Sequence, residues 1–164
     1  MRSCWLPLTF GMVLALEVIL AVPTGDLSAQ ASDPRIGTWK LNATKSKFNP
    51  GPPPQSLIVK VEPSGKGEKV TAEIVNADGT RTTTVYTANF DGKDYPLTGS
   101  PTADMVSLKR IDANTTERTD KKGGKVATNL KRVVSQDGKT MTVTTKGTNA
   151  EGQAVNNIIV FDKQ

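Results

Sequence analysis

Two arginines carry the sharpest chemical suggestion in this sequence. Arg132 alternates in step with Val126, Thr128, Leu130 and Val134, and Arg110 does so with Val106 and Leu108. Residues two apart in an extended chain share a face, so each guanidinium is carried on the side of its apolar neighbours. A guanidinium in apolar surroundings needs a carboxylate, a phosphate or ordered water as partner. Arg132, with Arg110 second, is therefore the expected contact for a small hydrophobic or anionic amphiphilic ligand. Tyr86 and Phe90, on one face of a neighbouring segment, are expected to line its apolar wall. The competing reading places both arginines near strand ends, where their stems lie on apolar surface and their heads reach water.

The rest of the chemical inventory excludes more than it offers. The 164 residues contain no His, which removes Ser-His-Asp and Cys-His triads, imidazole metal sites and the usual neutral-pH proton shuttle. Asp91-Gly92-Lys93-Asp94-Tyr95-Pro96 is dense in polar groups, but two aspartates without a closing Glu do not make a calcium loop. That segment reads as a surface turn at a barrel mouth. No metal and no cofactor are expected. Catalysis, if there were any, would have to use carboxylate, Lys, Arg or Tyr chemistry, and the separation in space that such carboxylate pairs need is not readable from sequence. The expected role is binding rather than catalysis.

The N-terminal stretch belongs to targeting. Arg2 precedes an apolar run extending to Val22 and interrupted by Glu17, and Ala29-Gln30-Ala31 supplies a small-x-small cleavage pattern. The run is short for a bilayer span and carries a charge within it. The expectation is a secretory signal peptide over 1–31, cleaved after Ala31, and a secreted or periplasmic domain over 32–164 with no transmembrane anchor. Cys4 leaves with the leader, so the exported domain has no cysteine and relies on burial and hydrogen bonding. Its 133 residues carry a net charge of +6. Those cations are scattered, without a basic helix or a stacking-aromatic motif, so no nucleic-acid partner is expected. A monomer is.

The elements that must position these residues are strands. The exported part holds 19 Thr and 12 Val against 5 Leu, a β-branched bias suited to a pleated surface. Turn pairs recur at Asp78-Gly79, Asp91-Gly92, Gly123-Gly124, Asp137-Gly138 and Glu151-Gly152. Between them alternation is clear: Leu57, Val59 and Val61 face one way, Ile58, Lys60 and Glu62 the other. Nine strands follow, at about 36–43, 55–63, 68–77, 80–90, 104–112, 114–121, 124–135, 139–148 and 153–162. Residues 91–103 form a long connection with at most a short strand at Tyr95–Leu97. Such a meander can close as an up-and-down barrel around a cavity, or pack as a filled barrel or sandwich that serves as an interaction or envelope-associated protein.

Two blocks favour the barrel. Ile36-Gly37-Thr38-Trp39-Lys40-Leu41 resembles the Gly-x-Trp opening of the calycins, the lipocalins and fatty-acid-binding proteins. Asp137-Gly138-Lys139-Thr140-Met141-Thr142-Val143-Thr144, followed by Lys146-Gly147-Thr148 and Val160-Phe161-Asp162-Lys163, resembles the closing hairpin of the fatty-acid-binding branch. The resemblance covers most of the exported part and is shared with exported bacterial proteins of lipocalin-like pattern. It implies an all-β, antiparallel, lipocalin-like barrel in which Trp39 plugs one end. Two departures stand out. Residues 44–54 are too few and too proline-rich for the two-helix lid of fatty-acid-binding proteins. Their ligand-gripping Arg-x-Tyr is replaced by Ile159-Val160-Phe161.

Overall fold

The computed structural model describes residues 33–149 and 151–164, so the expected leader and its cleavage point lie outside the described residues. Ten strands follow one another: β1 (Gly37–Leu41), β2 (Ser56–Ser64), β3 (Gly67–Val75), β4 (Arg81–Asn89), β5 (Asp91–Thr98), β6 (Met105–Arg110), β7 (Thr115–Lys122), β8 (Lys125–Val134), β9 (Thr140–Thr148) and β10 (Ala154–Lys163). Each pairs antiparallel with the next, and β1 pairs with β10, so the sheet closes into an up-and-down barrel. The closing seam sets Trp39 opposite Lys163 and Leu41 opposite Phe161, and the Gln164 N–H donates to the Thr38 carbonyl at 2.9 Å. Closure gives every strand among the described residues a neighbour on both sides, which is the reason a sheet of alternating apolar and polar residues curls rather than stacks.

The expected count of nine strands is corrected to ten. The segment read as a turn at a barrel mouth, 91–96, is the first part of β5 and begins at the opposite end. Pro96 and the polar run before it conceal the strand. Pairing supplies what propensity lacks: Tyr95 sits opposite Val106 and Pro96 opposite Met105 on β6. On its other side β5 meets β4 through two register pairs, Val85 with Thr98 and Tyr86 with Leu97. This is a thin seam in the wall. Two glycines let the sheet bend where strands crowd. A Cβ at Gly67 would stand 1.9 Å from the Ala88 carbonyl oxygen, and one at Gly147 2.1 Å from that of Ala127.

The barrel has two unlike ends. At its base lie the start of β1, the hairpins β2–β3, β4–β5, β6–β7 and β8–β9, and the end of β10. Trp39 is fully buried, and its Nε1–H donates to the Arg35 carbonyl at 2.8 Å. Arg35 is fully buried too, with its guanidinium carbon 4.5 Å from the centre of the Phe90 ring. Arg110 lies 4.6 Å from the centre of the same ring, and both arginines donate to the Asp33 carboxylate. Burial alone would raise the pKa of Asp33. The hydrogen bonds from Arg35 and Arg110 overcome it and hold the carboxyl at about 2. Beneath the barrel the chain is thus tied into a clasp of one anion, two cations and an aromatic ring.

The mouth collects the other hairpins and the connection 42–55. That connection holds one 3-10 turn, Ala43–Lys45, capped by the Asn42 side chain, which accepts from the Lys45 N–H. Beyond the turn, Lys47 bridges Ile158 and the Asn156 N–H donates to the Asn49 carbonyl, so the segment follows β10. No helical lid covers the mouth among the described residues.

Candidate functional site

Inside the barrel, between the plugged base and the mouth, lies a cavity of about 250 Å³. Its wall is largely aliphatic: Leu57 and Val59 of β2, Ala72 and Ile74 of β3, Val143 of β9 and Ile159 of β10 all line it. Thr84, Ser100 and Thr145 add small polar groups among them. Alternation along each strand places these side chains inward, as the sequence pattern requires. At the floor, three larger polar side chains converge: Tyr86 from β4, Arg118 from β7 and Arg132 from β8.

Each of the three is held by a carboxylate or by its neighbour. The Arg132 Nη2 donates to Glu68 Oε1 at 2.5 Å and lies 3.5 Å from the Tyr86 hydroxyl. The Tyr86 hydroxyl donates to the same Glu68 oxygen at 2.8 Å. Glu68 is 1 % exposed, and its other oxygen, Oε2, has no partner among the described residues. Arg118 grips Asp120 through two bonds, Nε to Oδ1 at 2.5 Å and Nη2 to Oδ2 at 2.9 Å. Its guanidinium carbon stands 4.8 Å from the Tyr86 ring centre, a cation–π contact that couples the two pairs. The floor is one connected network of two cations, two anions and a phenol.

The electrostatics follow from burial. Burial, and then the Glu68 charge beside it, push the Tyr86 phenol up to about 12, so at neutral pH it is a hydrogen-bond donor. For Arg132, burial favours loss of the proton, but Tyr86 and Glu68 outweigh it and raise the pKa above its ordinary value. Arg118 behaves alike, burial being outweighed by Tyr86 and Asp120. Pairing is a condition for these charges to sit here. An unpaired ion at such depth costs several kcal/mol.

Of the residues expected at a ligand site, Arg132 and Tyr86 meet in the cavity floor. Arg110 and Phe90 do not join them. Arg110 is the last residue of β6 and Phe90 stands between β4 and β5, so both lie at the base, engaged with Asp33 and Arg35. Alternation reports which side of the wall a residue faces, not its height in the barrel. Three members of the network were not anticipated: Glu68, Arg118 and Asp120. Glu68 sits in Gly65-Lys66-Gly67-Glu68-Lys69, which reads as a charged turn. Arg118 and Asp120 lie in Thr115–Lys122, where every residue is polar and alternation has no contrast. The available signal was the inward parity of Glu68 with Val70, Ala72 and Ile74.

No family model matches the chain, and no curated protein matches it. Among solved structures, the crystal structure of zebrafish ileal bile acid-binding protein complexed with cholic acid is similar to it. Identity is 12%, the alignment covers 80% of this chain and 99% of that one, and the TM-score is 0.48. A likeness at that level carries nothing about this chain's ligand. The barrel itself stands on its strand pairing.

Proposed function

We propose that this chain is an exported carrier or receptor for one small amphipathic molecule, held in the barrel with its apolar part among Leu57, Ile74 and Ile159 and its polar end on the Tyr86–Arg118–Arg132 floor. The observation that carries the reading is the cavity: aliphatic walls with a few convergent polar groups, the usual composition of a small-molecule site. Its volume sets the scale of the ligand. An apolar cavity of about 150 Å³ takes one benzene, so about 250 Å³ corresponds to on the order of ten non-hydrogen atoms. A longer tail would extend through the mouth, which has no helix across it among the described residues. Binding rather than turnover suits the floor, because Tyr86, Arg118 and Arg132 are each engaged by a fixed carboxylate.

Export supports the same role, resting on the apolar N-terminal run and Ala29-Gln30-Ala31. N-terminal sequencing of the protein from culture medium or periplasm is expected to begin at Ser32. Recovery of the full chain in membranes would refute this. For binding, titration with N-phenyl-1-naphthylamine, a neutral dye that brightens in apolar surroundings and whose size requires one ring system to project through the mouth, is expected to saturate at one dye per chain. Absence of saturable binding would overturn the cavity reading.

A further inference from the structure

We infer that the cavity selects an uncharged ligand with a hydrogen-bond acceptor at its polar end (a ketone, ester or amide carbonyl) and discriminates against carboxylates. This rests on the cavity-binding reading above and deepens it. The floor contains two guanidinium groups, which taken alone would invite an anion. Each already has its counter-ion: Glu68 for Arg132 and Asp120 for Arg118. The four charges cancel, so an entering carboxylate would leave a buried net negative charge. Its charge would also add to that of Glu68, whose Oε2 has no donor among the described residues. Uncompensated charge at such depth is strongly unfavourable, and like charges brought together across a desolvated contact add to the cost.

What the floor offers instead is donors. The hydrogen bonds of Arg132 leave from Nη2, and those of Arg118 from Nε and Nη2. Nε and Nη1 of Arg132 and Nη1 of Arg118 are therefore unengaged among the described residues, on two side chains that line the cavity. The Tyr86 proton is committed to Glu68. Glu68 does not line the cavity, so its carboxylate sets the charge balance from behind without meeting the ligand. A carbonyl oxygen satisfies a free guanidinium N–H and leaves the balance untouched. A ligand cation would meet two guanidinium faces first. Neutral acceptors are the class that remains.

The test compares 2-nonanone with nonanoate at pH 7.5, a matched pair of roughly the size the cavity takes, by displacement of N-phenyl-1-naphthylamine from the wild-type protein. The ketone is expected to bind at least tenfold more tightly. Equal or tighter binding of nonanoate overturns the inference while leaving cavity binding intact; failure of dye, ketone and nonanoate alike overturns both. Glu68→Gln removes the counter-ion of Arg132 and keeps the shape, so it is expected to shift the preference toward nonanoate by tenfold or more. An unchanged preference in folded Glu68→Gln refutes the charge-balance origin. Should that variant not fold, the wild type decides alone. Nonanoic acid is expected to gain at least tenfold in affinity from pH 7.5 to pH 4 as it becomes neutral, with 2-nonanone unchanged, and no gain refutes the inference.

Discussion

Filling the cavity should separate the barrel from its ligand. Ala72 lies on β3 between Val70 and Ile74 and is flanked by Val59 on β2 and Thr84 on β4, all of them lining the cavity. Ala72→Phe adds a phenyl ring to a space of about 250 Å³, where one of about 150 Å³ already accepts benzene. Burying the ring contributes roughly 1.5–3 kcal/mol, and ordering the longer side chain takes back roughly 0.5–1 kcal/mol. The expected result is a protein about 1–2 kcal/mol more stable, with a melting temperature raised by roughly 3–6 °C for a domain of this size. Urea unfolding measures the first quantity, and dye titration is expected to show at least tenfold weaker binding. A destabilisation of about 1–3 kcal/mol, as overpacking produces, would mean that the space is already filled. Unchanged dye affinity would mean that ligands bind elsewhere. Either result refutes the cavity as the binding site.

Other expectations concern the two ends and the floor. Trp39→Ala removes a fully buried indole and its bond to the Arg35 carbonyl, and should cost about 3–5 kcal/mol in urea unfolding. Asp33 has its pKa lowered from 3.8 to about 2, so its contribution is complete above pH 5 and is lost as pH falls toward 2. The shift is worth at most about 2 kcal/mol, and partial solvent contact reduces this to about 1 kcal/mol; Asp33→Asn should flatten the stability profile over that window. Tyr86 has its pKa raised from 10 to about 12, so stability is complete below pH 10 and should fall by about 2–3 kcal/mol on going to pH 12, a drop that Tyr86→Phe removes. Gly99 combines φ +77° with a Cβ position 1.8 Å from the Thr83 carbonyl oxygen; Gly99→Ala should cost about 1–3 kcal/mol or more, read as a lower melting temperature.

The barrel was legible because its wall obeys a period of two wherever apolar and polar residues alternate, as in Leu57 to Glu62 and Met141 to Lys146. β5 was not, since Asp91-Gly92-Lys93-Asp94 and Pro96 carry turn chemistry and become strand through their partners on β6. Parity brought out Arg132 and Tyr86 as inward-facing, and the same reasoning sent Arg110 and Phe90 to a site they do not share. Height in the barrel depends on register and on the clasp formed by Asp33 and Arg35, neither of which a single strand encodes. Glu68 stayed hidden for a related reason. Its partners lie 18 and 64 residues away, and only closure brings them onto one carboxylate.

The central claim is that the barrel encloses a small molecule. Native mass spectrometry of the protein isolated from the compartment where it accumulates, followed by denaturation and identification of what is released, tests it most directly. One uncharged molecule per chain is expected, with a polar acceptor and an apolar body of on the order of ten non-hydrogen atoms or a longer tail, absent from Ala72→Phe prepared in the same way. A bare chain from every preparation, together with no saturable dye binding by the wild type, would contradict it.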